Sequence, residues 1–173
     1  MNLATLAVVW SNVSSDRTEP GRRAMEKPTT KKVDLPFRDD AEIAVLIEQF
    51  EACQYPYERW THRAHLAVAV VYLRHYAFDD AVARIRRHIQ QYNLTNGDPA
   101  GYHETLTLLF MRRVSGDLKN RRSDTTTTIA RIVEELFQSF DMRWPLVYYS
   151  ADRLWSAEAR STWVEPDLKV LDF

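Results

Sequence analysis

Apolar residues recur at helical spacing along most of the chain after residue 35. Five segments with this period predict the main helices, at about residues 39–53, 61–76, 79–92, 102–114 and 123–140. Four of the five begin at an Asp, Ser or Thr that can cap the first turn. No alternating run is long enough to predict a strand, so the pattern indicates an all-α, single-domain bundle of about five main helices.

The second of these segments is apolar almost all the way round. Only a narrow polar sector near Arg63 and Arg74 interrupts its hydrophobic surface. A helix of this kind is normally buried on all sides. We therefore expect it to form the centre of the domain and to pack on the fourth helix.

The two ends of the chain have weaker patterns. Residues 1–35 are polar and rich in helix breakers, which predicts a disordered tail before a bundle domain at 36–173, with Met25 as an alternative start. After Trp144 the chain predicts a short irregular helical segment, in which Ser150 and Ser156 are caps. Thr125–Thr128 are predicted to form the first turn of the fifth helix, after a cap at Ser123 or Asp124.

Composition restricts the function classes. The formal net charge is -1, from 23 basic and 24 acidic residues, so no strong field favours nucleic acid or anionic lipid. The single cysteine, Cys53, excludes an intramolecular disulfide and a multi-cysteine zinc site. The apolar stretch at 3–10 lacks the basic flank and cleavage site of a signal peptide, and no run approaches the ~18 apolar residues of a membrane span. We expect a cytoplasmic protein that binds neither nucleic acid nor membrane.

Common enzyme signatures are absent from the sequence. There is no phosphate-binding P-loop, no Gly-x-Gly-x-x-Gly, no Gly-x-Ser-x-Gly and no His-Glu-x-x-His motif. The paired Glu-x-x-His motifs of di-iron bundles are also missing. Any chemistry must therefore come from polar residues on the inward faces of the helices.

Three histidines on predicted inward faces form the leading site hypothesis. His62 and His65 are three residues apart, so their rings lie side by side on one helix face, and His103 faces inward at the start of the fourth helix. Together they predict a metal site for zinc or iron with an open position, as in catalytic zinc centres. Glu104 is the candidate general base or further ligand, with His103 as a second catalytic candidate. The corresponding function is a small metal-dependent enzyme acting on a small molecule.

Two alternatives to a metal enzyme stay open. The same histidines and Glu104 can act as acid and base in a metal-free pocket. They can also be structural, satisfied by backbone carbonyls, in a non-catalytic ligand-binding or protein-interaction module. The partner of such a module would bind an exposed aromatic patch around Tyr148, Trp155 and Trp163.

The remaining polar residues predict structural or solvent roles. His75 and His88 are placed on the solvent sides of their helices, and Cys53 is expected to pack on the core. The basic clusters and the neighbouring acidic pair are expected to serve solubility: Arg84, Arg86, Arg87, Arg121, Arg122, Glu134 and Glu135.

The C-terminal segment has more aromatic and ionic character than a frayed end needs. We expect it to lie across the bundle and to bury Leu154 and Trp163. It could also cover a pocket, with Arg153 or Arg160 contacting an anionic group of a substrate.

Three segments together resemble a family of small uncharacterised bacterial proteins. They are WTHRAHL at 60–66, GYHET at 101–105, and the stretch 149–168, which begins YS and ends WVEPDL. The resemblance covers roughly residues 40–171. It implies no activity, but it implies that the three segments belong to one structural unit.

Overall fold

The computed structural model describes residues 31–121, 126–140 and 143–173, and in these ranges the chain is helical without strands. The predicted all-α fold with five main helices is confirmed. The main helices are α1 (Asp40–Glu51), α2 (His62–His75), α3 (Phe78–Thr95), α4 (Glu104–Asn120) and α5 (Ile129–Ser139). Three short helices follow: α6 (Pro145–Tyr148), α7 (Ala151–Leu154) and α8 (Ala157–Ser161).

Helix α2 is the centre of the bundle. It packs against α1, α3, α4 and α5, and its buried residues run round the whole helix. Leu66, Val68 and Val70 are each at most 1% exposed, although Val68 lies on the opposite side of the helix from Leu66 and Val70. The prediction from the all-round apolar pattern is confirmed. Within the described ranges, no helix combines the length and the apolar character that crossing a membrane requires.

Helix α5 begins later than the sequence predicts. Thr128 is its N-cap, and its hydroxyl accepts a hydrogen bond from the backbone N–H of Arg131 at 3.3 Å. Thr126 and Thr127 lie in a bend before the helix, so these two residues do not form its first turn, and Thr125 lies outside the described residues. Threonine is a poor helix-interior residue because its branched side chain is restricted there, whereas its hydroxyl is well suited to a cap. The predicted caps at 123 and 124 lie outside the described residues.

Helix α4 continues through Gly116 to Asn120, beyond the predicted end at Val114. Glycine lowers helix propensity by about 1 kcal/mol, but packing can outweigh that cost. A Cβ added at Gly116 would lie 3.5 Å from the backbone of Phe173, so the C-terminal segment passes close to this turn of the helix. Contact with the C-terminal segment therefore stabilises the last turns of α4, which the sequence predicted to end at Val114.

The segment before α1 packs on the bundle. The backbone N–H of Val33 donates to the carbonyl of Glu58 at 2.8 Å, and the Thr61 hydroxyl donates to the Asp34 carboxylate at 2.7 Å. Val33 and Asp34, which precede the predicted boundary at 35, therefore contact residues of the bundle. The rest of the predicted tail, residues 1–30 with Met25, lies outside the described residues.

The C-terminal helices lie across α4. Thr105 joins them to it, because its hydroxyl donates to the carbonyl of Thr162 at 2.7 Å and accepts from the N–H of Val164 at 3.1 Å. Leu154 is 1% exposed, as predicted, whereas Trp163 is only partly buried. The segment thus completes the wall of the bundle next to the start of α4.

Candidate functional site

A small cavity lies between α2, α3 and α4. Its volume is about 30 Å³, enough for one or two water-sized occupants. Two imidazoles, a hydroxyl and a thioether share its walls with apolar side chains. The described residues that line it are His62, His65, Leu66, Ala69, Ile85, Ile89, Thr107, Phe110 and Met111.

His62 presents an unsatisfied nitrogen in this region. Its ring packs against Phe110 and Phe137, with centroids 5.2 and 6.0 Å away. The Nε2 atom is buried and has no hydrogen-bond partner among the described residues. Burial lowers the pKa of His62 to about 4, so the imidazole is neutral at pH 7. An unsatisfied buried polar atom costs about 1–3 kcal/mol, so this nitrogen needs an explanation.

His65 lies one turn further along α2 and has a fixed tautomer. Its Nδ1 atom is 2.6 Å from the carbonyl oxygen of Thr61, which can only accept, so Nδ1 carries the proton. The Nε2 atom then carries the lone pair. The ring packs on Trp60 at a centroid distance of 3.9 Å, and burial lowers the pKa of His65 to about 3. This second imidazole is therefore also a neutral base that lines the cavity.

The polar atoms of α4 at the cavity come from Thr107 and Met111, one turn apart. The hydroxyl of Thr107 donates to the backbone carbonyl of His103 at 2.9 Å, which leaves its oxygen as an acceptor. Met111 is 1% exposed and lines the cavity with a side chain that carries a thioether. Met111 was not among the site residues expected from the sequence, because a methionine at helical spacing is normally a packing residue.

His103 does not join the other two histidines. It is the N-cap of α4, and its Nδ1 atom accepts from the backbone N–H of Leu106 at 3.3 Å. Its Nε2 atom donates to the carbonyl of Leu154 at 2.9 Å, so both ring nitrogens are engaged. Burial lowers the pKa of His103 to about 4.

The structure therefore does not assemble the predicted three-histidine metal site. In the described ranges, no group of three or more His, Cys, Asp or Glu side chains could hold a metal ion. The sequence placed His103 inside a helix starting at Tyr102, whereas the residue precedes the helix with extended backbone, φ −143°. Its ring consequently turns back over the first turn of α4, away from the cavity.

Glu104 is held in an ion pair with Arg86 and does not line the cavity among the described residues. The carboxylate accepts from two guanidinium nitrogens of Arg86, with Nε at 3.0 Å, and from the Tyr102 hydroxyl at 2.5 Å. Burial raises the pKa of Glu104, but Arg86 and Tyr102 outweigh this effect and hold it below its usual range. Arg86, which was expected to serve solubility, thus makes this ion pair while its side chain stays partly exposed.

His88 is buried at 9% exposure, so its predicted position on the solvent side of α3 is wrong. The Tyr72 hydroxyl donates to Glu51 at 2.7 Å and lies 2.6 Å from Nδ1 of His88, which must therefore donate to it. His75 is exposed, as predicted, and Cys53 packs against the core. Neither His75 nor His88 is among the described residues that line the cavity.

Arg153 and Arg160 bind other parts of the chain and are not among the described residues that line the cavity. Arg160 donates to the carbonyls of Ala100 and Tyr102 at 3.1 and 3.3 Å. Arg153 contacts the carbonyl of Glu165 at 3.3 Å and the carboxylate of Glu158 at 3.7 Å. These contacts do not support a role for either arginine in binding a substrate in this cavity.

The predicted exposed aromatic patch is not formed as expected. Tyr148 is 5% exposed, and its hydroxyl donates to Asp172 at 2.5 Å. Trp155 packs edge-on against His103, and the indole of Trp163 donates to Glu165 at 2.8 Å. Among the described residues, the exposed apolar side chains of this region are instead Leu146, Val147, Leu168 and Val170.

Comparison with known proteins identifies no family for this chain. None of the protein-family models, curated proteins or solved structures that were compared matches this chain. The resemblance to a family of small bacterial proteins stays a prediction. The function is accordingly inferred from the chemistry of the cavity alone.

Proposed function

We propose that this protein binds one transition-metal ion in the cavity, through Nε2 of His62 and Nε2 of His65. The buried, unsatisfied Nε2 atom of His62 beside the same cavity as His65 is the observation that carries the proposal. A metal ion would turn that unsatisfied atom into a ligand. The protein is accordingly a metal-binding helical protein.

The hydrogen bond between His65 and the Thr61 carbonyl supports a role for His65 as a metal ligand. Histidines that bind metals usually donate their other ring N–H to a carbonyl or carboxylate, which orients the ring and makes the ligating nitrogen more basic. His65 makes this bond through Nδ1 to Thr61. The low pKa values of His62 and His65 also mean that protons do not compete for either nitrogen above about pH 5.

The size of the cavity favours an ion over an organic substrate. Pockets for drug-sized molecules occupy about 300–1,000 Å³, roughly ten times the volume available here or more. The contacts of His103 and Glu104 also engage the third ligand and the base of the predicted metal-dependent enzyme. The site therefore supports metal binding better than metal-dependent catalysis.

The cytoplasm is the compartment that we propose for this activity. A single cysteine, Cys53, cannot form an intramolecular disulfide, which suits a reducing environment.

Replacement of His62 tests the proposal, with His75→Ala as the matched control. Both are histidines of α2, but His75 is exposed and does not line the cavity. We expect wild type and His75→Ala to retain one ion per chain after loading with Zn²⁺ and desalting. His62→Ala should bind at least about tenfold more weakly, which corresponds to ~1.4 kcal/mol. Elemental analysis and calorimetric titration measure both quantities.

Two results would contradict metal binding at this cavity. One is a wild-type protein that is folded by circular dichroism and takes up neither Zn²⁺ nor copper ions, in which case water is the occupant. The other is metal uptake that is equal in wild type and His62→Ala. The second result would assign the uptake to a different part of the chain.

A further inference from the structure

We infer that the cavity selects monovalent copper, with the thioether of Met111 as third ligand beside the imidazoles of His62 and His65. This inference rests on the proposed function and adds the identity of the ion and a ligand. Three features of the described residues carry it: the donor atoms, the charge of the cavity walls and the burial of the sulfur.

The donor atoms match a soft ion. Met111 lines the cavity from α4, and the two imidazoles line it from α2. A thioether is a soft ligand that selects Cu(I) among biological metals, and imidazole binds copper as well as zinc.

The charge of the walls favours a monovalent ion. Among the described residues that line the cavity, none is acidic. The Born free energy of moving an ion from water into a medium of low dielectric constant grows with the square of its charge. This unfavourable free energy is therefore about four times as large for a divalent ion as for a monovalent one. Structural zinc sites offset this cost with thiolates and catalytic ones often with carboxylates, neither of which is available here.

Burial of the Met111 side chain makes the site unfavourable for ions that keep bound water. Met111 is 1% exposed and Leu66 beside it in the cavity wall is also 1% exposed, so the thioether is shielded from bulk water. Neighbouring aliphatic groups from α3, Ile85 and Ile89, complete an apolar wall. Hard ions that keep several bound waters, such as Mg²⁺, are poorly suited to such a site.

The experiment compares Cu(I) and Zn²⁺ binding by wild type, Met111→Leu and His62→Ala, with His75→Ala as control. Cu(I) is titrated anaerobically against a coloured Cu(I) chelator, and Zn²⁺ against a zinc-binding dye. The leucine substitution removes the sulfur at nearly constant volume, so it should cost less than about 1.5 kcal/mol in stability. Circular dichroism and urea unfolding check that each variant is folded.

We expect wild type and His75→Ala to bind one Cu(I), at least about 100-fold more tightly than Zn²⁺, a difference of ~2.7 kcal/mol. Met111→Leu should weaken Cu(I) binding at least about tenfold and leave Zn²⁺ binding unchanged. X-ray absorption of the copper-loaded wild type should show a sulfur scatterer that Met111→Leu lacks. His62→Ala should lose both metals.

The outcomes separate the two proposals. Zinc binding that depends on His62, with copper bound no more tightly or with equal copper affinity in Met111→Leu, overturns copper selectivity and leaves the metal site standing. Failure of the folded wild type to bind either ion overturns both.

Discussion

Acidification from pH 7 to pH 4 should unfold this protein. Three histidines, the half-buried His62 and His65 and the buried His103, have pKa values of about 4, 3 and 4 in the folded state, against an ordinary value of 6.5. Burial is the main cause of each depression. The unfolded chain therefore takes up protons below pH 6.5 that the folded chain cannot accept, so stability that is fully present above pH 6.5 is lost as the pH falls towards 4.

The expected size of this effect is comparable with the whole stability of a domain. With these pKa values, each of the three imidazoles removes roughly 3 kcal/mol at pH 4, or about 9 kcal/mol together. Domains of this kind are usually stable by about 5–15 kcal/mol. Near pH 5.5 the free energy of unfolding should fall by about 3–4 kcal/mol per pH unit, because nearly three protons are taken up on unfolding.

Urea unfolding followed by circular dichroism at pH 7, 6, 5.5 and 5 measures this slope. His62→Gln should reduce it by about 1 kcal/mol per pH unit, whatever its effect on stability at pH 7, because one titrating group has been removed. His75→Gln, at an exposed position of the same helix, is the matched control and should leave the slope near the wild-type value. A wild-type stability that is constant from pH 7 to pH 5 would show that the buried imidazoles do not have depressed pKa values.

Replacement of His103 by alanine should destabilise the protein by about 3 kcal/mol while leaving metal binding intact. The substitution removes the N-cap bond to Leu106, typically worth ~1 kcal/mol, and leaves the Leu154 carbonyl without its donor, which costs about 1–3 kcal/mol. It also opens a void where the ring packs on Trp155. Equilibrium unfolding and Zn²⁺ titration of the same samples separate the two effects.

The His103 experiment distinguishes a structural residue from a metal ligand. His103→Asn is the informative second variant, because asparagine is also a favoured N-cap and should recover part of the lost stability. Loss of the ion in His103→Ala, with stability close to that of wild type, would restore the three-histidine hypothesis and contradict the geometry described above.

The fold was largely predictable because helix formation here follows from the hydrophobic period. Helix α2 was assigned correctly as the buried centre, since a segment that is apolar on all sides has few other stable environments. The ends of helices were less predictable. The start of α5 depends on one hydroxyl, that of Thr128, and the extension of α4 depends on contact with Phe173, which is distant in sequence.

The sequence correctly predicted only the part of the candidate site that lies on a single helix. His62 and His65 share a face because of their spacing on α2, and both line the cavity. His103 and Glu104 are both buried, but their partners, Leu154 and Arg86, come from other elements and bind the ring nitrogen and the carboxylate that a catalytic site would need. A sequence pattern shows that a polar side chain is buried, but not which distant atom satisfies it.

The most direct test of the metal site is the nitrogen NMR spectrum of the histidine rings, recorded with and without Zn²⁺ or Cu(I). Before metal is added, His65 should be the tautomer with its proton on Nδ1, and His103 the tautomer with its proton on Nε2. Addition of one equivalent should shift the Nε2 resonances of His62 and His65 and leave those of His103 and His75 unchanged. Shifts at His103, or at exposed His75 in place of His62 and His65, would contradict a metal site in this cavity.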